Sequence, residues 1–151
     1  MLEVETASGL RPYVGQTLGS SDWLLIDQPM IDAFAHATGD HQWIHVDVER
    51  ARAEMPGGRT IAHGFLTLSL LPRLSAEIYA IQRKSRGINY GSNKVRFVSP
   101  VPVGSRVRMH SALKALEEAS GGYRIIADAT IEIEGEAKPA LVAETITLVF
   151  D

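Results

Sequence analysis

The chain has 151 residues, a length that suits one folded domain with a single sizeable hydrophobic core. Its hydrophobic and charged fractions, 45% and 22%, are ordinary for a globular protein and exclude wholesale disorder. The absence of cysteine excludes disulfide frameworks, zinc–thiolate sites and thiol nucleophiles, and a formal charge of −3 argues against nucleic acid as a partner.

Residues 1–20 are polar and punctuated by Gly and Ser, and they read as a weakly structured lead-in. They hold neither the basic nor the apolar stretch of a secretory signal, which makes the cytoplasm the expected compartment. Trp23-Leu24-Leu25-Ile26 is a short apolar run that fits a strand. Asp27 is placed to cap a helix carrying Ile31, Phe34 and Ala35 on one side and ending near Thr38-Gly39. His41 to Ile44 is loop-like, and Asp47 caps a short helix from Val48 to Glu54, closed by Pro56-Gly57-Gly58.

From Ala62 to about Arg83, Leu66, Leu70, Leu74, Ile78 and Ile81 recur at helical spacing, with Phe65, Leu68 and Leu71 widening the stripe. Pro72 falls inside this run, so the spacing predicts one long, kinked, largely buried helix. After Gly87 the period changes to two. Asn93, Val95 and Phe97 alternate with Lys94 and Arg96, and Val107 to Ala115 alternates similarly. Tyr123, Ile125, Ala127, Ala129, Ile131 and Ile133 share one face of the clearest strand, and Val142 to Phe150 forms the last. The class is α+β: an antiparallel meander with one buried face, covered by the long helix. No run approaches the roughly 18 apolar residues of a membrane span, so no membrane partner is expected.

The densest polar cluster is Thr38-Gly39-Asp40-His41-Gln42-Trp43-Ile44-His45-Val46-Asp47. A carboxylate and an imidazole converging on one water polarise it and shuttle its protons, and a histidine titrating near neutrality suits a general base. An apolar wall such as Trp43 or Ile44 would tune the carboxylate. On spacing alone, Asp40 reads equally as a helix-end cap and His45 as a half-buried loop residue. Farther on, Ile61-Ala62-His63-Gly64-Phe65 enters the long helix. The first N–H groups of a helix lack internal partners, so the Gly64 N–H suits a developing oxyanion; alternatively the glycine only permits tight packing. His63 is read as ordering the helix start, His36 as a helix residue, His41 as an exposed loop residue and His110 as the polar side of a strand. A metal site from His36, His41, His45 and Asp47 matches no standard ligand spacing, so none is expected.

Phe34-Ala35-His36-Ala37-Thr38-Gly39-Asp40 through Ile44-His45-Val46-Asp47, with Ala62-His63-Gly64-Phe65 and Ser69 downstream, resembles the MaoC-like, R-specific enoyl-CoA hydratase family. Asn89 to Phe97 followed by Pro102-Val103-Gly104 is similar to that family's first strand and turn after the helix. The nearest subgroup is the single-domain hydratases related to nodulation protein N, and the resemblance spans about residues 22–150. It implies a hot-dog fold, an antiparallel sheet wrapped around one central helix, in a homodimer with acyl tunnels near the subunit interface. It also implies that Asp40 and His45 activate water, that the Gly64 N–H binds the thioester oxygen, and that Ser69 sits beside the pair. Ser69 has a plainer reading as a helix serine bonded back to its own backbone.

The expected activity is therefore reversible hydration of a trans-2-enoyl thioester on CoA or an acyl carrier, with no cofactor beyond the CoA of the substrate. Gln42-Trp43 replaces the Asn-Pro common in the family, which puts Trp43 among the candidate substrate contacts with Tyr90 and Asn93. Lys84, Arg86, Lys94 and Arg96 fit either CoA phosphates or a solvated basic face. Two rival functions remain on this fold: an acyl-CoA thioesterase, and a non-catalytic acyl-thioester binding protein. The intact Asp–His pair favours hydration over both.

Overall fold

The computed structural model describes residues 1–150. Strands β1 (Leu2–Val4), β2 (Thr17–Ser20) and β3 (Leu24–Leu25) precede helix α1 (Gln28–Thr38). Short helices α2 (Trp43–Val46) and α3 (Val48–Glu54) follow, then α4 (Gly64–Ser69) and α5 (Leu71–Ile78). Strand β4 (Tyr79–Ile81) leads into the four long strands β5 (Arg86–Phe97), β6 (Arg106–Ala119), β7 (Gly122–Ile133) and β8 (Leu141–Phe150).

The main sheet runs β2-β6-β7-β8-β5, with β3 also pairing β6, and every pairing in it is antiparallel. Period-two alternation sends Val107, Met109, Ile131 and Leu141 to the helix side, where they meet Leu66, Leu70, Leu74 and Ile78. This is the α+β meander expected from the period change at Gly87, in the hot-dog arrangement that the family resemblance implies. β5 forms one edge of the sheet, and nearly all of its residues are exposed.

Local signals behave as the sequence dictates around α1. Asp27 caps it by accepting the Met30 N–H at 3.0 Å, and Gly39, at φ 78°, ends it in the left-handed conformation that glycine adopts without strain. Asp47 likewise caps α3 through the Arg50 N–H at 3.0 Å.

Two expectations are corrected. Residues 1–20 are no loose lead-in: β1 pairs in parallel with β4, and a 3-10 helix over Ala7–Tyr13 buries Ala7 and Leu10 completely against Leu113, Ile125 and Val149. Those contacts are remote in sequence, so the sparse apolar residues of the segment carry no local pattern to announce them. The long helix over 62–83 is two helices abutting at Leu70, and it ends at Ile78. Pro72 has no N–H to continue the α4 ladder, but in the first turn of α5 none is needed. Beyond Ile78, the apolar Tyr79 and Ile81 turn away to pair with β1.

Candidate active site

Asp40, His41 and Gln42 lie in the turn between α1 and α2, and His45 stands on α2. The α2 helix is held from three sides. Gln28 on α1 donates from Nε2 to the His45 carbonyl at 2.8 Å, and its Oε1 accepts from the buried Thr60 hydroxyl at 2.6 Å. The extended segment 60–63 runs alongside, with the Ile61 N–H donating to the Ile44 carbonyl at 3.0 Å. His45 is 7% exposed, and its Nδ1 lies 2.7 Å from the Ile61 carbonyl. A carbonyl only accepts, so Nδ1 carries the proton and Nε2 is left as the basic nitrogen of the neutral ring. Burial holds the His45 pKa below its ordinary value. The charge of a protonated His63 lowers it further, while the Ile61 bond and the Asp40 carboxylate pull the other way.

His63 completes the cluster. Its Nε2 donates to the Asp40 backbone carbonyl at 2.9 Å and lies 4.0 Å from Oδ2 of the same residue. Its ring stacks on that of His45 with centroids 3.8 Å apart and meets Phe34 at 4.9 Å. Its Nδ1 is buried without a hydrogen-bond partner among the described residues. Asp40 keeps its carboxylate about half exposed, with Oδ1 accepting the Gln42 N–H at 3.3 Å. Asp40, His45 and His63 each offer an atom within 4.8 Å of the others. Stacked rings, however, carry their in-plane lone pairs in nearly parallel planes, which do not converge on one ion as zinc ligation requires. The arrangement suits proton transfer.

Gly64 is the first residue of α4, so its N–H has no intrahelical partner. The helix has six residues and a correspondingly small field; what it offers is a free donor. A Cβ at Gly64 would come to 3.0 Å from the Phe97 ring, so close packing also favours glycine here. Gly64 and His45 line a cavity of about 280 Å³ together with Thr67, Phe97 and Val101. A larger cavity of about 870 Å³ begins at the other end of α4, at Leu68 and Ser69, and extends between α5 and the sheet.

The remaining candidates are placed elsewhere. Ser69 donates to the Phe65 carbonyl at 2.7 Å, the back-bond of a helix serine, and borders the larger cavity. Trp43 lies under the Arg50 guanidinium, 4.1 Å from the ring centroid. Tyr90 is 61% exposed beneath Arg124, and Asn93 donates to Glu144 at 2.9 Å. From β5 it is Gly87, Asn89, Gly91, Ser92 and Val95 that line the larger cavity. Of the basic residues, Arg83 pairs with Glu5 at 2.9 Å, Arg86 covers Phe150, and Lys84 reaches the larger cavity. His110 on β6 bonds Glu132 on the adjacent β7, at 2.6 Å. Sequence reading missed Gln28 and Thr60 and assigned His63 only to the helix start. The signal was present in Thr60-Ile61-Ala62-His63-Gly64, where polar residues interrupt an apolar entry to a helix.

A sheet wrapped on a broken helix, with a neutral histidine and a carboxylate meeting at one end of it, defines a hydratase/dehydratase of the hot-dog class. The chain belongs to the MaoC-like domain family, whose pattern matches residues 10–130. It is 52% identical over 147 residues to 3-hydroxyacyl-thioester dehydratase Z of Mycobacterium tuberculosis, covering 97% of each chain. It is 48% identical over 138 residues to nodulation protein N of Rhizobium leguminosarum, covering 90% of this chain and 86% of that one. An unliganded R-hydratase from Pseudomonas aeruginosa superposes with a TM-score of 0.78 at 20% identity, covering 97% of this chain and 86% of that one; at that identity the likeness establishes the fold.

Proposed function

We propose that the protein reversibly hydrates a trans-2-enoyl thioester to the (R)-3-hydroxyacyl thioester, with Asp40 and His45 as its catalytic residues. The observation that carries this reading is the His45 tautomer: with Nδ1–H committed to the Ile61 carbonyl, Nε2 is a free base beside Asp40. The dehydratase relative at 52% identity supports the reaction class.

In the hydration direction, the thioester carbonyl accepts the Gly64 N–H, which makes the β-carbon electrophilic and stabilises the enolate that follows. His45 Nε2 takes one proton from water as the oxygen bonds to the β-carbon. Asp40 orients that water, and the pair returns one proton to the α-carbon. Dehydration is the reverse. His63 holds the Asp40 turn through its backbone carbonyl and walls one side of the His45 ring.

The acyl donor is CoA or an acyl carrier protein, and the working state is a cytoplasmic homodimer. Support for the dimer comes from β5. It is a twelve-residue edge strand presenting Ile88, Tyr90 and Phe97 to solvent, beside Phe65 at 66% exposure. A long edge strand that exposes these apolar side chains invites pairing with a second copy. Among the described residues, no helix is long and apolar enough to cross a membrane.

The reaction is tested with crotonyl-CoA, following loss of the enoyl absorbance, release of free thiol and the configuration of the product. Loss of absorbance without thiol, giving the R product, is expected. Thiol release instead would favour the thioesterase.

A further inference from the structure

The larger cavity has a lining at odds with its position. It lies between α5 and the inner face of the sheet, where period-two patterning calls for apolar side chains. Yet Ser111 on β6 and Thr145 and Thr147 on β8 project to that face, and Ser75 joins them from α5. Their neighbours on the sheet, Ala127, Ala129 and Ala143, are small and leave room around them. Thr145 satisfies its hydroxyl by donating to the Ala127 carbonyl at 3.2 Å. Ser111 does not. It is 2% exposed, and its Oγ has no hydrogen-bond partner among the described residues.

A buried hydroxyl without a partner is destabilising, and alanine or valine of nearly the same shape would remove the penalty. A local rule broken at a cavity wall marks a functional position. Water filling the empty cavity satisfies such groups, but a plain alkyl chain displaces the water and leaves them unpaired. An oxygen on the incoming chain replaces that water in kind.

We propose that this chamber receives an acyl chain bearing a hydroxyl or keto oxygen on its distal half, which Ser111 and Thr147 meet by hydrogen bonding. The proposal rests on the hydratase reading, and it names the substrate class of that same site. Along α4 the chamber starts at Leu68 and Ser69, just past the Gly64 and Thr67 that line the smaller cavity with His45. A thioester held at Gly64 therefore has the chamber along the same helix to receive its tail.

The test compares kcat/KM for trans-2-octenoyl-CoA with that for analogues carrying one hydroxyl at successive positions of the distal half. For at least one analogue, the wild-type enzyme is expected to favour the oxygenated chain by about fivefold or more, the scale of one well-made hydrogen bond. Ser111→Ala and Thr147→Val are each expected to bring that ratio toward one, with the larger change at Ser111. Equal or better use of the plain chain by the wild-type enzyme overturns the proposal, whether or not the variants fold. So does a wild-type preference that neither substitution reduces. Crotonyl-CoA, which has no distal half, is assayed beside them. Its failure to hydrate would contradict the hydratase reading, whereas its hydration without an oxygen preference would contradict only the chamber assignment.

Discussion

The imidazole rings of His45 and His63 stack 3.8 Å apart with their planes 24° from parallel, and each spends one ring nitrogen on a backbone carbonyl. His45 is bonded to Ile61, the residue two before His63, and His63 is bonded to Asp40. One short segment therefore fixes the tautomer of the base and the position of the carboxylate together. His63→Phe keeps the stacked volume and loses both the bond to Asp40 and the capacity for charge. Because a charged His63 lowers the His45 pKa, its removal is expected to move the acid limb of the kcat/KM profile to higher pH. A residue that served only packing would lower activity at every pH and leave the limb in place.

The pH dependence of the wild-type enzyme follows from the same burial. The His45 pKa is depressed in the folded state, so the folded protein binds fewer protons than the unfolded chain just below the ordinary value of about 6.5. Its contribution to stability is present in full above that value and is lost as pH falls through the depressed pKa. Activity is expected to persist below pH of about 6.5 and to fail at the lower limb, where Nε2 becomes protonated. In His45→Gln this contribution to the acid loss of stability disappears, which urea denaturation at a series of pH values will measure.

Gly64 faces Phe97 so closely that an added methyl group would sit 3.0 Å from the ring and push it aside by a few tenths of an ångström. Gly64→Ala is expected to cost about 1–3 kcal/mol through overpacking, read as a lower denaturation midpoint. In Gly64→Ala with Phe97→Ala much of that stability should return, since the ring that the methyl meets is gone. Activity that returns with it would show that glycine serves packing, while activity that stays low would point to the approach of the carbonyl to the N–H.

The edge strand supplies a prediction about assembly. Ile88 is 45% exposed on β5, and Ile88→Lys places a charge on the edge proposed to pair with a second copy. A shift from dimer to monomer on size-exclusion chromatography is expected. A variant that remains dimeric would direct attention to another face.

Much of this was legible in the residues. The caps at Asp27 and Asp47, the glycine end of α1 and the period-two faces of β6 and β7 are local signals, and local physics decides them. The Asp40–His45 spacing and the helix entry at Gly64 were visible for the same reason. What stayed hidden depends on chain segments that meet only after folding. The pairing of Leu2–Val4 with Tyr79–Ile81 turned a lead-in into core and cut a helix short. His63 showed its place only once the turn at Asp40 came within 2.9 Å. Tyr90 and Asn93 have the right residue types on the right strand, but their partners, Arg124 on β7 and Glu144 on β8, belong to other strands of the sheet.

The most direct measurement is the rate of crotonyl-CoA hydration by His45→Ala and Asp40→Asn beside the wild type, with binding of a saturated acyl-CoA measured in parallel. Each variant is expected to lose about 10²–10⁴-fold in kcat, the usual contribution of a positioned acid or base, while still binding the acyl-CoA. Wild-type rates in either variant, with the protein folded, would contradict the assignment of catalysis to this pair.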